Sequence, residues 1–277
     1  MDRARGQIGE AVRSGGYGGT RRSRRSAARR RDTRARHGGG RRDGRRRPAR
    51  GQGADAQRGL GARAWRADRP PVSVRPPLPC LHAVTDERIA RRPDLSAVAA
   101  ELAAGGGAAI AFHARGRGLS GLEHYELAVR LTDRPTVQLF VNDRLDIALA
   151  CGATGVQLGA GSVDPGDARR LEPRWWIGRS VHDLAEATAA RNAGADYLLL
   201  GPVFRTATHP GREPLDPGTV SAVVALGLPV IAIGGVTPGR AMELKAAGVH
   251  GVAAIRALWD ADDPARAARR LLQELDA

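Results

Sequence analysis

The sequence predicts an α/β protein, a (β/α)8 TIM barrel preceded by a disordered Arg/Gly-rich N-terminal segment. Three observations lead there. Charge divides the 277 residues: residues 1–77 hold 23 Arg against 6 acids, a balance of +17, and residues 78–277 hold 21 basic and 23 acidic groups, a balance of −2. From Cys80 onward, short apolar or β-branched runs alternate with helical stretches eight times, the number of βα units that closes a barrel. An open doubly wound sheet would place a Gly-rich fingerprint after its first strand, but that turn reads Thr85-Asp86-Glu87-Arg88.

The first 77 residues offer only Tyr17 and Trp65 as aromatics, and runs such as Arg45-Arg46-Arg47 repel themselves. Such a stretch cannot offset its ordering entropy by burial, so disorder is expected. An Arg-rich arm of this kind could bind nucleic acid through phosphate contacts or act as a transit segment. A blander reading is an upstream, mis-started extension without a selected role: 43 of the 44 basic residues are Arg, as a G/C-rich coding region would produce. Any nucleic-acid contact is assigned to residues 1–77 alone. The prolines of 70–71 and 76–79 mark the boundary, giving a barrel domain of residues 78–277.

Within that domain the expected strands are 81–85, 108–112, 136–141, 155–158, 175–178, 197–200, 229–233 and 251–255. The expected helices are 94–104, 119–131, 144–150, 165–171, 183–193, 216–225, 238–247 and 264–275. Helix ends at Ala104-Gly105, Ala193-Gly194 and Ala247-Gly248 support this division. Trp175-Trp176 is expected to alternate between barrel interior and helix layer. Two cysteines, Cys80 and Cys151, cannot build a disulfide framework or a four-Cys zinc site. No run of 18 apolar residues exists, and no apolar stretch of secretory type follows the N-terminal charges. A cytoplasmic location without membrane contact is therefore expected.

Barrel chemistry gathers at the C-terminal strand ends. These deliver Thr85 and Asp86, His113 and Arg115, Asn142 and Asp143, Gln157 with Ser162, and Arg179, Ser180 and His182. They go on to Thr206, Thr208 and His209, then Gly234-Gly235, then Ile255-Arg256. Gly234-Gly235 followed by Thr237-Pro238 lets the backbone approach an anion closely, at the strand position where barrels commonly bind phosphate; a tight turn alone would also use the pair. His182 is a candidate proton-transfer group. In the structural alternative, Ser180-Val181-His182-Asp183 is a helix cap in which His182 is incidental. Asn142-Asp143 could hold Mg²⁺ on a phosphate or simply start a helix. The remaining histidines lack zinc-ligand spacing.

These motifs resemble a known family. Leu81–Asp86, Val141–Ala150, Gly155–Leu158, Ile177–His182, Gly201–Phe204 and Ile231–Val236 are similar, in order, to the thiamine phosphate synthase/TenI superfamily. The resemblance implies a (β/α)8 barrel, often a homodimer, acting on thiazole phosphate in thiamine biosynthesis. It offers two activities. Thiamine phosphate synthase, a transferase, joins a pyrimidine pyrophosphate to thiazole phosphate with Mg²⁺. Its strand-2 signature Q-x-R-x-K is laid here on Ala111, His113 and Arg115, with two of three positions changed. Its strand-4 Mg²⁺-binding Asp falls on Ser162, and its T-x-T-K loop on Thr206-Ala207-Thr208-His209.

The TenI-like thiazole tautomerase, an isomerase, needs a phosphate anchor and an acid/base but no metal. On these departures the sequence is read as a tautomerase, with the synthase as alternative and a non-catalytic thiazole-phosphate-binding regulator as a second one. The implied roles are His182 as catalyst and His113, Arg115, Asn142, Ser180, Thr206 and Thr208 as substrate-binding residues. Gly234, Gly235, Ile255 and Arg256 would bind phosphate. Asp143 would be a metal ligand only in the synthase; the tautomerase takes no cofactor. Arg256 replaces a small polar residue and would either reinforce the phosphate site or obstruct it.

Overall fold

A computed structural model describes residues 75–132, 137–206 and 211–276; the expectations for residues 1–74, Thr208 and His209 lie outside the described residues. The strands are β1 (Leu81–Val84), β2 (Ile110–Ala114), β3 (Gln138–Asn142), β4 (Gly155–Leu158), β5 (Trp176–Val181), β6 (Tyr197–Leu200), β7 (Val230–Ile233) and β8 (Gly251–Ala254). All pair in parallel with their sequence neighbours, and β8 returns to β1, closing the barrel. The helices are α1 (Glu87–Ala90), α2 (Leu95–Gly106), α3 (Gly121–Thr132), α4 (Leu145–Ala150), α5 (Pro165–Leu171), α6 (Leu184–Asn192), α7 (Pro217–Val224), α8 (Pro238–Ala246), α9 (Arg256–Trp259) and α10 (Pro264–Asp276). The single-turn helices α1 and α9 were not expected.

Alternation along each strand separates two apolar compartments. Leu81, Phe112, Val156, Ile177, Leu198, Val230 and Val252 face the helices, whereas Val84, Ala111, Phe140, Tyr197, Leu199, Ile231 and Ala253 fill the barrel. Trp175 belongs to the outer layer and Trp176 packs against the inner one, as the alternation requires. Large rings are matched by missing side chains. A Cβ on Gly155 would lie 2.6 Å from the Phe140 ring, and one on Gly178 would lie 2.2 Å from Tyr197 Cζ and 2.3 Å from Gln157 Oε1. Gly178→Ala should therefore cost about 1–3 kcal/mol by overpacking. The measurement is a lower urea midpoint at unchanged m-value; an unchanged midpoint would refute this packing argument.

Strand β2 ends two residues later than the sequence predicts, with a direct consequence for the site. Gly105 was read as a helix stop, but α2 continues through Gly106 and a 3₁₀ turn follows at Gly107–Ala109. The glycines serve close approach: a Cβ on Gly105 would lie 2.2 Å from the Ala265 carbonyl oxygen of α10.

Residues 75–79 close the N-terminal end of the barrel. Arg75 donates to Asp196 (2.8 Å) and to the Trp175 carbonyl (3.0 Å), and its guanidinium lies 4.4 Å from the Trp176 ring centroid. Trp176 Nε1 donates to Pro76 O, Gln138 Nε2 to Pro77 O, and His82 Nε2 to Pro79 O. His250 Nε2 bonds Leu78 O. Arg75, Pro76 and Pro77, placed on the extension side of the boundary by their prolines, are thus bonded to the barrel.

Candidate active site

A cavity of about 480 Å³ opens at the C-terminal strand ends. Its apolar wall includes Val84, Leu199, Ile233 and Ala253, and five arginines (Arg115, Arg117, Arg212, Arg240, Arg256) line it without a carboxylate among the lining residues. Asn142, Ser180, His182, Thr206, Gly234, Gly235 and Ile255 also reach it, so most expected site residues converge. Arg117, Arg212 and Arg240 were missed.

At the β2 edge, the buried Thr85 hydroxyl accepts the Arg115 amide (2.9 Å) and lies 2.8 Å from Arg115 O and 3.0 Å from His113 O, fixing the backbone where the strand turns. Burial first, and then the neighbouring Arg117, push the Arg115 guanidinium below its ordinary pKa. Positive charge is held here at a cost that a bound anion would relieve. Strand β2 keeps the expected five residues but is shifted two residues toward the C-terminus, to Ile110–Ala114. Ala111 is fully buried inside the barrel, opposite His82, whereas Arg115 and Arg117 line the cavity. An R-x-R spacing was present in the sequence, but the early strand end hid it.

His113 does not line the cavity. It is fully buried beneath the floor, stacked on Phe140 at 5.1 Å, which corrects its expected role as a direct substrate contact. The Pro79 carbonyl can only accept, so His82 Nε2 carries the proton and His82 Nδ1 accepts from His113 Nε2–H at 2.7 Å. Both rings are neutral, since burial pushes His82 down to about 4 and His113 well below its ordinary value. Further round the barrel, Gln157 Nε2 donates to Ser180 Oγ at 3.0 Å. Ser180 is therefore a residue of β5 rather than part of a cap. The α6 cap is Asp183, which accepts from Glu186 N.

Asp143 at the end of β3 has φ 61°, the only positive φ on a non-glycine among the described residues. A short polar residue tolerates this conformation best. The turn aims its Oδ1 at the Gly159 amide (2.8 Å) and the Ser162 hydroxyl. Among the described residues no group of three or more His, Cys, Asp or Glu could hold a metal. Mg²⁺ nonetheless commonly binds through one or two carboxylates with substrate phosphates and water. Asp143 and Ser162 offer one carboxylate and one hydroxyl beside Gly159, which lines the cavity, although neither is itself a lining residue.

His182 Nδ1 bonds Glu186 Oε2 at 2.9 Å, and the same oxygen accepts the His182 amide at 2.8 Å. Nε2 has no partner among the described residues. On the far side, Gly234 (φ 109°) and Gly235 (φ 64°) adopt backbone forms that favour glycine. Side chains there would also strike Pro202 Cα at 2.9 Å and Arg205 O at 2.5 Å. Arg240 Nη1 donates to Gly235 O at 2.8 Å while its guanidinium lies 4.7 Å from the Phe204 ring centroid. Thr237 caps α8 by position, but its side chain makes no cap bond, and the first-turn amides of α8 have no intrahelical acceptor.

Residues 81–258 match the thiamine monophosphate synthase family, TMP-TENI. A thiamine-phosphate synthase of Methanoculleus marisnigri is 39% identical over 71% of this chain and 95% of its own length. A thiamine biosynthesis bifunctional protein ThiM/ThiE of Symbiobacterium thermophilum is 49% identical over 50% of this chain, a stretch covering 29% of that protein. Among solved structures, a thiamine phosphate pyrophosphorylase from Pyrococcus furiosus superposes with a TM-score of 0.61 at 32% identity, covering 71% of this chain and 95% of that one. No helix among the described residues is long and apolar enough to cross a membrane. The chain belongs to the thiamine phosphate synthase/TenI superfamily, as its strand-end motifs foretold.

Proposed function

We propose that the chain is a thiamine phosphate synthase, reversing the order in which its two candidate activities were read from sequence. The observation that carries this is the pair Arg115 and Arg117, facing the cavity that Gly234-Gly235 also line. A tautomerase acting on a thiazole carboxylate phosphate needs a phosphate anchor and a single cation for the carboxylate; a synthase needs a second subsite with charge enough for a pyrophosphate leaving group, which two arginines supply. The carboxylate of Asp143 beside Ser162 fits the same chemistry, and the relatives named as synthases favour it.

In this reading, the Gly234-Gly235 backbone and the first turn of α8 hold the acceptor phosphate, since helix N-termini and exposed amides favour anions. The apolar wall holds the two rings against each other and keeps water out. The bond joining thiazole to the pyrimidine methylene carbon forms as the carbon–oxygen bond to pyrophosphate breaks, and the leaving group departs with the electron pair. Arg115 and Arg117 stabilise that charge where it develops. Mg²⁺, held by Asp143 and Ser162, would supply further charge neutralisation when bound.

The second reading, a thiazole tautomerase, rests on the His182–Glu186 pair, which suits a proton carrier. The full chain should be assayed with pyrimidine pyrophosphate plus thiazole phosphate, with and without Mg²⁺, and separately with the thiazole tautomer. Mg²⁺-dependent formation of thiamine phosphate and pyrophosphate is expected. His182→Ala should keep coupling within about tenfold, below the 10²–10⁴ typical of a lost acid/base. Metal-independent isomerisation without coupling would overturn the proposal.

A further inference from the structure

We propose that His82 and His113, neither of which reaches the cavity, are positioning residues for Asn142. Together with the Pro79 carbonyl they hold its amide with Nδ2–H turned down to His113 Nδ1 and Oδ1 turned up into the cavity. There Oδ1 accepts a hydrogen bond from the exocyclic amino group of the pyrimidine substrate. Only the identity of that donor rests on the synthase reading.

Three links run from the bottom of the barrel toward its mouth. Pro79 O accepts from His82 Nε2 at 2.9 Å, and His82 Nδ1 accepts from His113 Nε2 at 2.7 Å. The third starts at His113 Nδ1. Asn142 stands above it: Phe140 pairs with His113 in register, and Asn142, two residues on, faces the same interior. It is also the polar side chain that His113 meets beyond His82. Three links need three protons, and two neutral imidazoles bring two, so the Asn142 amide must bring the third. His113 Nδ1 and Asn142 Oδ1 are both buried without a hydrogen-bond partner among the described residues, as two acceptors facing one another would be. The two ends of an amide are nearly equal in size, and the surrounding network decides which goes where. With Nδ2 toward His113 both vacancies close, because Oδ1 then belongs to the cavity that Asn142 lines.

Tyr197 OH, also buried and unbonded, does not supply that proton. It is turned toward β4 and β5, where it and Gln157 Oε1 lie 2.5 and 2.3 Å from the one point a Gly178 Cβ would occupy. The cavity gives an acceptor at Asn142 its use. Five arginines and no carboxylate line it, so side-chain acceptors for a substrate N–H are scarce. Ser180 Oγ already accepts from Gln157 Nε2 and is thereby turned to donating. The base of Asn142 is held as well, its carbonyl accepting the Arg144 amide at 2.7 Å.

The test compares wild type with His113→Leu, His113→Gln and Asn142→Ala in the full chain. Nitrogen-15 spectra of histidine-labelled protein should show both imidazoles as neutral Nε2–H tautomers, with His113 Nδ1 hydrogen-bonded in wild type and released in Asn142→Ala. Calorimetric titration with the pyrimidine pyrophosphate and Mg²⁺, without acceptor, should show affinity lowered about 3- to 10-fold in His113→Leu and Asn142→Ala, the loss of one neutral hydrogen bond. His113→Gln should stay within about twofold, because its side chain can donate to His82 and accept from Asn142 at once. The same pyrophosphate without its amino group should bind all four proteins within about twofold of one another, since the partner of Oδ1 is already gone. A purely structural role would weaken both pyrophosphates alike and overturn the assignment, as would a His113 Nδ1 signal indifferent to Asn142→Ala. Equal affinity of wild type for the two pyrophosphates would overturn the assignment of Oδ1 to the cavity. Imidazole signals as expected in a protein that neither binds the pyrophosphate nor couples would sink the synthase reading and keep the orientation of Asn142.

Discussion

Arg115→Ala should lower kcat/KM for the pyrophosphate-bearing substrate by roughly 10²–10³, the usual cost of removing a donor aimed at developing negative charge. The loss should appear in kcat as well as KM, because the charge grows as the leaving group departs. Thr85 holds the strand end through backbone atoms, so the variant should keep its fold. Arg117 is more exposed, and Arg117→Ala should cost less, about tenfold, since a solvated cation is worth less than a half-buried one. The double variant should fall short of the product of the two losses if both cations act on one anion. Arg174→Ala, removing a surface partner of Glu172 remote from the cavity, serves as control. Steady-state rates with each substrate varied in turn decide the matter. Arg115→Ala within twofold of wild type would remove the main support for a second anion subsite.

The second large effect concerns stability. His82 is neutral in the fold with its pKa at about 4, against an ordinary value of 6.5, and His113 is displaced in the same direction. Between those two values the unfolded chain binds protons that the folded chain refuses, so stability rises with pH across the window. It is fully present above about pH 6.5 and falls as the pH drops toward 4. For His82 the change amounts to about 3 kcal/mol across the whole window. The hydrogen bond adds to this, because protonating His82 at Nδ1 would set two N–H groups face to face. Carboxylates with depressed values, such as Glu87, lose their contribution only as the pH falls below the ordinary carboxylate range. Urea midpoints between pH 4.5 and 7.5 therefore isolate the imidazoles. Wild type should weaken toward pH 4.5, and His82→Gln/His113→Gln should show a flatter profile. An equally steep profile in the double variant would place the proton uptake elsewhere.

Much of this architecture was legible in the sequence. The eight alternations gave the barrel, and the ranges of β4, β6 and α5 agree residue for residue. The glycine pair after β7 and His182 after β5 both reached the cavity as expected. What escaped was depth along the barrel axis. Whether a residue near a strand end lines the mouth or lies beneath it depends on the stagger between strands, which no single strand encodes. His113 and Arg115 are two residues apart and both face inward, yet one is buried beneath the floor and the other reaches the cavity. The partnership of Asp143 with Ser162 was hidden for a similar reason, since the two meet only through the pairing of β3 with β4. Helices of one turn, such as α1 and α9, are too short for any hydrophobic period to register.

The residues below the barrel set a limit on trimming the chain. Each of the five residues 75–79 is bonded to the barrel through its own backbone or side chain, with partners in or beside β1, β3, β5, β6 and β8. A gene shortened to begin at Cys80 would leave Asp196 with one arginine instead of two, the Trp176 indole without its acceptor, and the His82–His113 pair without the carbonyl that sets its tautomer. The shortest product that keeps its floor starts at Arg75. The proline-rich stretch that read as a boundary between segments works, from that residue on, as a bung.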